Sequence, residues 1–344
     1  MSNKEPKRDG GVTQESIFGG SEEGERSRSS PAQRLRRSYN FYVKTPFAVA
    51  WSDWRTRIGG IGILLYILMG TVGVVITPDA RLNEGDYFVP PFQNMQYPLG
   101  TDHLGRDVLS LAVHSTPAML KMALAGLVFA VGLAIIFGMI AGYKGGLLDT
   151  IMMTVADVFI VLPGLPLIIV LSAIFTPRDA FIVGAILSIG AWPRLARELR
   201  SQVLALRNED FVEAARAMGI STPTIVGQEL VPKVAPYMLI RGAGAAVAVI
   251  RNSVALYFLG ILPFSSENWG VMLNQAYQQA NAVQTPSRTY LMILPLVLLS
   301  GMLFSAILFS QGLDRVFNPR LRARNSEGAR EEESNEGGAG TGAI

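Results

Sequence analysis

The feature that most limits what this chain can fold into is a set of long stretches without charge. Ile58–Ile76 and Met122–Gly142 contain no Asp, Glu, Lys or Arg. About 20 apolar residues are needed for a helix to cross the hydrocarbon of a bilayer, and uncharged runs of that length read as membrane spans. Charged residues make up 17% of the chain and hydrophobic residues 49%, whereas an ordinary soluble domain is about 25% charged. A single soluble globular domain is therefore excluded. Four further segments complete the expected set. Ile151–Phe175 holds Asp157, Pro163 and Pro166, and the short Ala180–Trp192 is expected to end at Pro193. Leu239–Leu262 carries Arg241 and Arg251, and Tyr290–Gln311 comes last. Lipid offers no hydrogen bonds to backbone groups, so spanning segments of this length must be helices. The expected fold class is an all-α membrane protein, a six-transmembrane-helix bundle.

The basic residues orient it. Of 30 Lys and Arg, 23 lie before the first span, at Lys144, in the segment 193–238, or beyond the last span. Only Arg81, Arg106, Arg178 and Arg288 lie in the opposite loops. Cations concentrate in cytoplasmic loops, so both termini are expected in the cytoplasm of a multi-pass plasma-membrane protein. The same bias accounts for a pI of about 9.1 without nucleic acid, because the excess cation faces an anionic leaflet. Residues 1–44 read as a polar disordered tail, with no apolar leader near Met1. Residues 45–110 hold the first span and an outer loop, 111–323 the main transmembrane domain, and 324–344 an acidic, Gly-rich disordered tail.

The composition also removes several chemistries. There is no cysteine, hence no disulfide, thiolate zinc site or cysteine nucleophile. His103 and His114 are the only histidines, too few for a histidine metal cage. No Gly-x-x-x-x-Gly-Lys-Ser/Thr, His-Glu-x-x-His or Gly-x-Ser-x-Gly occurs, so neither a phosphate-cradling loop nor a hydrolase site is expected. Gly138 and Gly142, extended by Gly126 and Gly132, mark a packing face on the second span. Gly242, Gly244, Ala245 and Ala246 do so on the fifth, since small residues let membrane helices approach closely. Pro163 and Pro166 each remove a donor and kink the third span, as a gating hinge or as a static bend. Asp157 suits either a proton relay or a hydrogen-bonded structural role.

The segment 193–238 is too long for a simple connector. Asp210 is placed to cap a helix with Glu213 as its capping-box partner, and Gly219 to end it. Ser221 is placed to cap a second helix with Pro223 in its first turn, and Pro232 to stop it. Ala214, Ala215 and Ala217 keep one surface thin. That suits a knob for a partner's groove, although an ordinary interfacial helix fits the same pattern.

The run Glu213-Ala214-Ala215-Arg216-Ala217-Met218-Gly219, followed by Leu230-Val231-Pro232, resembles the EAA loop of ABC importer permeases. Further motifs resemble one branch, the second permease subunit of dipeptide/oligopeptide/nickel importers. They are Pro98-Leu99-Gly100-Thr101-Asp102-His103-Leu104-Gly105-Arg106-Asp107, Gly142-Tyr143-Lys144-Gly145-Gly146 with Asp149 and Asp157, Trp269-Gly270-Val271-Met272-Leu273, and Asn318-Pro319-Arg320-Leu321-Arg322. Arg251-Asn252-Ser253 departs from the branch, which often has an acid shortly before Leu259-Gly260.

The resemblance implies a transport subunit without catalytic residues or metal of its own. ATP and Mg would sit on two cytoplasmic ATP-binding subunits. A second homologous permease subunit and an extracytoplasmic solute-binding protein would complete the assembly. Glu213, Ala214, Ala215, Arg216, Gly219 and Pro232 would couple to the ATPases. Arg251, Asn252 and Ser253 would face the substrate pathway, with Arg251 alternatively paired to Asp157 or to an acid of the other permease. Pro163, Pro166 and Asp157 would serve gating or structure. Asp102, Arg106 and Asp107 would contact the binding protein, with Asp102 alternatively a helix N-cap. Peptides are the implied solutes, and oligosaccharides or chelated nickel the alternatives. An ATP-independent secondary transporter is the rival from another class.

Overall fold

The computed structural model describes Trp51, residues 53–263 and residues 268–317. The two polar tails and the Asn318–Arg322 motif lie outside the described residues. Among those described, the chain is helical. The single β feature is an isolated bridge between Thr101 and Asp107.

Helix α1 (Trp54–Ile76) starts at Asp53, whose carboxylate accepts from Arg55 N, and passes through a π turn at Met69–Gly73. Helix α2 (Val108–Lys144) has 37 residues. At 1.5 Å per residue it is about 55 Å long, well beyond the roughly 30 Å of hydrocarbon. Asp107 caps it, accepting from Leu109 N and Ser110 N, and Gly145 at φ +66° ends it. The helix therefore begins ahead of Met122, where the sequence pattern starts the span. It also begins ahead of residue 111, so that domain boundary falls within its first turn.

Two expected spans are broken. Helix α3 (Gly146–Val161) and helix α4 (Gly164–Phe175) meet at 92°. Pro163 holds Leu162 extended at ψ 132°, the conformation a following proline favours. Pro163 thus makes a full break rather than a kink, and Pro166 sits in the first turn of α4, where no donor is needed. Helix α5 (Ala180–Leu187), with a 3₁₀ turn Ser188–Gly190, meets helix α6 (Trp192–Leu206) at 60°. The chain breaks just ahead of Pro193, close to the expected end of that span, but Pro193 then sits in the first turn of α6, which turns much of the expected 193–238 loop into helix.

Helix α7 (Asp210–Ala217) follows, then α8 (Thr222–Phe258), a 37-residue helix with a π turn at Ile225–Leu230. Pro232 does not stop a short second helix. The π turn widens α8 just ahead of the ring, where a proline would otherwise clash with the preceding turn. Helices α9 (Trp269–Gln278) and α10 (Tyr290–Phe317) complete the described chain. Among the described residues, four helices are long and apolar enough to cross a membrane, and up to six spans result if each bent pair counts as one.

α2 is the post around which the others gather, with its most extensive contact against α6. Gly138 and Gly142 carry that contact. An added Cβ at Gly138 would lie 2.5 Å from Ala196 O and 2.9 Å from Leu199 Cβ. At Gly142 it would lie 2.8 Å from Val203 Cβ. Gly126 and Gly242 face the α2–α8 contact, against Val249 and Val131. Around the α2–α6 seam Trp192 packs between Phe137 and Phe159, with ring centroids at 4.6 and 5.4 Å. Ile58, Leu64 and Leu65 on α1, and Ile293, Val297 and Phe304 on α10, are exposed, as suits faces solvated by lipid rather than water.

Gly138→Ala is expected to lower stability by about 1–3 kcal/mol, because a packed backbone contact must open. Gly132→Ala, with nothing within 4 Å of the added carbon, is expected to be neutral or to gain up to about 1 kcal/mol in helix propensity. Thermal unfolding of the two variants in detergent separates them, and equal behaviour would remove the glycine seam from this account.

Candidate functional site

α7 is a short helix outside the long ones. Its N-cap is Glu209 rather than Asp210, without a side-chain cap hydrogen bond. The expected capping box is therefore not formed, and Asp210 and Glu213 lie in the first turn, where their charge still favours the helix N-terminus. Gly219, at φ +73°, makes the left-handed turn that closes the helix. Ser221 holds the N-cap position of α8 without a side-chain cap hydrogen bond to the backbone, its hydroxyl pairing instead with Thr224 Oγ1 at 2.8 Å. Pro223 sits in the first turn as expected.

The alanines divide. Ala215 and Val212 are buried in the core with Leu230, Val234 and Met238, so Ala215 anchors the helix and is no part of an outer surface. Glu213, Ala214, Arg216, Ala217 and Met218 are exposed, Met218 at 72%. Arg216 lies over the Tyr143 ring at 5.0 Å, and its Nε donates to the Tyr143 hydroxyl at 3.3 Å. Lys233 lies over Phe211. One contact ties α7 to the end of α2 and the other ties it to the start of α8.

Two ion pairs brace α3 against α6. Arg200 grips Asp149 with two donors, Nε to Oδ1 at 2.5 Å and an Nη to Oδ2 at 2.6 Å. Arg197 pairs with Asp157. Asp157 is thus engaged with α6 and not with Arg251. The spacing of Asp149 and Asp157 was visible in the sequence. Their arginine partners, Arg200 and Arg197, lie 51 and 40 residues further on and carried no local signal.

A cleft of about 540 Å³ opens between the α3–α4 break, α5–α6 and α8. Leu162, Gly164, Arg194, Arg241, Arg251 and Asn252 are among its lining residues. Ser253 is elsewhere: fully buried, it donates to Ile250 O at 2.8 Å. Of the three expected pathway residues, Arg251 and Asn252 share the cleft. Arg194 and Arg241 join them, although sequence reasoning took these only as loop and span charges.

The outer motif is a built turn. Asp102 is buried and accepts from Leu104 N, Arg106 N and the Arg106 guanidinium at 2.6–2.9 Å. Arg106 also donates to Gln275 at 2.8 Å. Asp107 is buried as the α2 cap. The acceptors expected to meet a binding protein are filled internally, and the helix cap is Asp107 rather than Asp102. Burial pushes the neighbouring His103 imidazole below its usual value, opposed by Asp102 and helped by Arg106. Among the described residues no cluster of His, Asp and Glu could hold a metal ion.

Residues 134–323 match the family described as the binding-protein-dependent transport system inner membrane component. The chain belongs to that family. It is a multi-pass permease subunit of an ABC importer. This permease is 28% identical over 274 residues to a dipeptide transport system permease protein of Bacillus subtilis, covering 78% of this chain and 83% of that one. It is 27% identical over 281 residues to an oligopeptide transport system permease protein of the same organism, covering 79% and 87%. It is 31% identical over 258 residues to a probable peptide ABC transporter permease protein of Sinorhizobium fredii, covering 71% and 84%. The match to the family includes α7, the ion-paired α3–α6 seam and the cleft.

Asp149→Asn is expected to destabilise the permease by about 1–3 kcal/mol, the cost of leaving a gripped guanidinium unanswered. Exchanging the two residues, Asp149→Arg with Arg200→Asp, is expected to recover part of the loss. Thermal unfolding in detergent reads both, and additive loss in the exchanged variant would show that the pair contributes nothing.

Proposed function

We propose that this permease forms half of the translocation pathway of an ATP-driven peptide importer. In this reading it pairs with a second homologous permease subunit, receives solute from an extracytoplasmic binding protein, and is driven by two cytoplasmic ATP-binding subunits. ATP and Mg belong to those subunits, and this chain needs no cofactor of its own. It crosses the plasma membrane six times with both termini inside. The excess of Lys and Arg around 144, in 193–238 and outside the end spans supports that orientation. Counting each bent pair as one span supports the number. Peptides are supported by the relatives, which are named for dipeptides, oligopeptides and peptides.

The observation that carries the coupling reading is the construction of α7. Its inner face is anchored by Val212 and Ala215, and its outer face presents Glu213, Ala214, Arg216 and Ala217. It joins, through the Gly219 turn, a helix that continues unbroken in sequence from Thr222 to Phe258. A displacement of α7 by a closing ATPase pair would therefore be delivered along α8 beside the cleft. The Arg216–Tyr143 contact would deliver it to α2 as well. This is alternating access by rigid elements rather than by a flexible lid.

The chain has no native cysteine, so Met218→Cys supplies a single label site. A membrane-impermeant maleimide is expected to reach it in inside-out vesicles and not in intact cells. Labelling from the outer face would overturn the orientation. Gly219→Val forces a β-branched residue into a left-handed turn at about 1–2 kcal/mol, a factor of about 5–30 in a two-state equilibrium. Peptide uptake is expected to fall by about that factor while the amount of permease in the membrane is unchanged. Unchanged uptake would remove α7 from the coupling route.

A further inference from the structure

The cleft beside α8 has a charge composition that packing does not explain. Arg194, Arg241 and Arg251 line it, together with Asn252, and no Asp or Glu does. Arg241 is partly answered by Glu198 on α6, 3.7 Å away. Among the described residues, Arg194 and Arg251 have no ion pair. Arg251 lies on α8, one of the helices long and apolar enough to cross a membrane, where a cation is costly unless it faces a counter-charge or a water-filled cavity. Arg194 and Arg251 beside the partly satisfied Arg241 leave the cleft with an excess of positive charge.

The dimensions of the cleft suit a short peptide. Its volume of about 540 Å³ lies in the range of small-ligand pockets. Arg241 and Arg251 stand ten residues apart on one helix, about 15 Å along its axis. An extended tripeptide covers about 10 Å of that distance, and the two long arginine side chains can reach over the remainder. Between them the wall is kept low by Gly244, Ala245 and Ala248. Gly244 has nothing within 4 Å of where a Cβ would be.

We propose that this cleft is a station for anionic peptides, and so sets the charge class of solute that the permease passes. Guanidinium groups bind carboxylates with two parallel hydrogen bonds. A peptide with an acidic side chain offers two carboxylates, that side chain and its own C-terminus, to arginines spaced along the pathway. Asn252 adds a neutral amide donor beside Arg251. A lysine-bearing peptide meets the same arginines as like charge. The inference rests on the peptide-importer reading and adds the charge class to it.

The test uses the assembled importer in proteoliposomes, with ATP on the motor side and binding protein held constant. Uptake of Ala-Glu-Ala, Ala-Ala-Ala and Ala-Lys-Ala is measured for the unmodified complex and for the Arg251→Gln and Arg194→Gln variants. The binding protein is common to all, so a change in the ratio between peptides belongs to the permease. Each variant is expected to lower the Ala-Glu-Ala to Ala-Lys-Ala ratio by about tenfold, equivalent to about 1.4 kcal/mol. Ala-Ala-Ala is expected to be affected least. An equal loss for all three peptides would overturn the proposal, by making the arginines structural or subunit contacts. An unmoved ratio with full uptake would also overturn it. No uptake of any peptide by the unmodified importer would overturn the peptide reading itself, and this inference with it.

Discussion

The architecture depends on the near-contact of two backbones where α2 crosses α6. Within a membrane no hydrophobic force drives helix against helix, so close approach must come from shape. Gly138 and Gly142 supply that shape, bringing α2 against Ala196, Leu199 and Val203 of α6. Once that seam is closed, Arg197 and Arg200 stand on the same helix as the packed residues, within reach of Asp157 and Asp149 on α3. Trp192 fills the space between Phe137 and Phe159 at the head of the seam. Opening it by the width of a methyl group would loosen the ion pairs, the aromatic cluster and the wall of the cleft together.

From that seam the packing continues to α7. α7 is too short to be stable alone. It is held because Val212 and Ala215 are buried with Leu230, Val234 and Met238, at the start of α8. The face left outside is small, charged and rigidly placed. The cleft lining and the cluster that anchors α7 both draw residues from α6 and α8.

The legible and illegible parts of this fold divide by the range of the forces involved. Spans such as Ile58–Ile76 were readable because transfer of some 20 apolar residues into lipid dominates every local preference. Gly219 and Ser221 were readable because turn and cap chemistry is local. The prolines were misread in both directions. Pro163 breaks a span that was expected to kink, Pro193 opens a helix where a loop was expected, and Pro232 lies inside a helix that was expected to end. A proline states only that one donor is missing and one conformation is disfavoured for its predecessor. Whether the helix breaks, restarts or widens into a π turn depends on what the flanking segments pack against. The outer motif was misassigned for a similar reason: Asp102 and Asp107 are both short acids after a turn, and only the fold shows which one meets the free N–H groups of α2.

The amino-acid sequence by itself determined that the chain is helical, crosses a membrane several times and carries a short alanine-rich element between two longer helices. Those properties follow from transfer free energies and local capping, which act on residues near one another. Tertiary structure alone decided that Asp157 meets Arg197, that Ala215 faces inward while Ala214 faces outward, and that Arg194, Arg241 and Arg251 share one cleft. Such groupings join residues up to 57 positions apart. They are set by which helix faces come together once the glycine seam has closed.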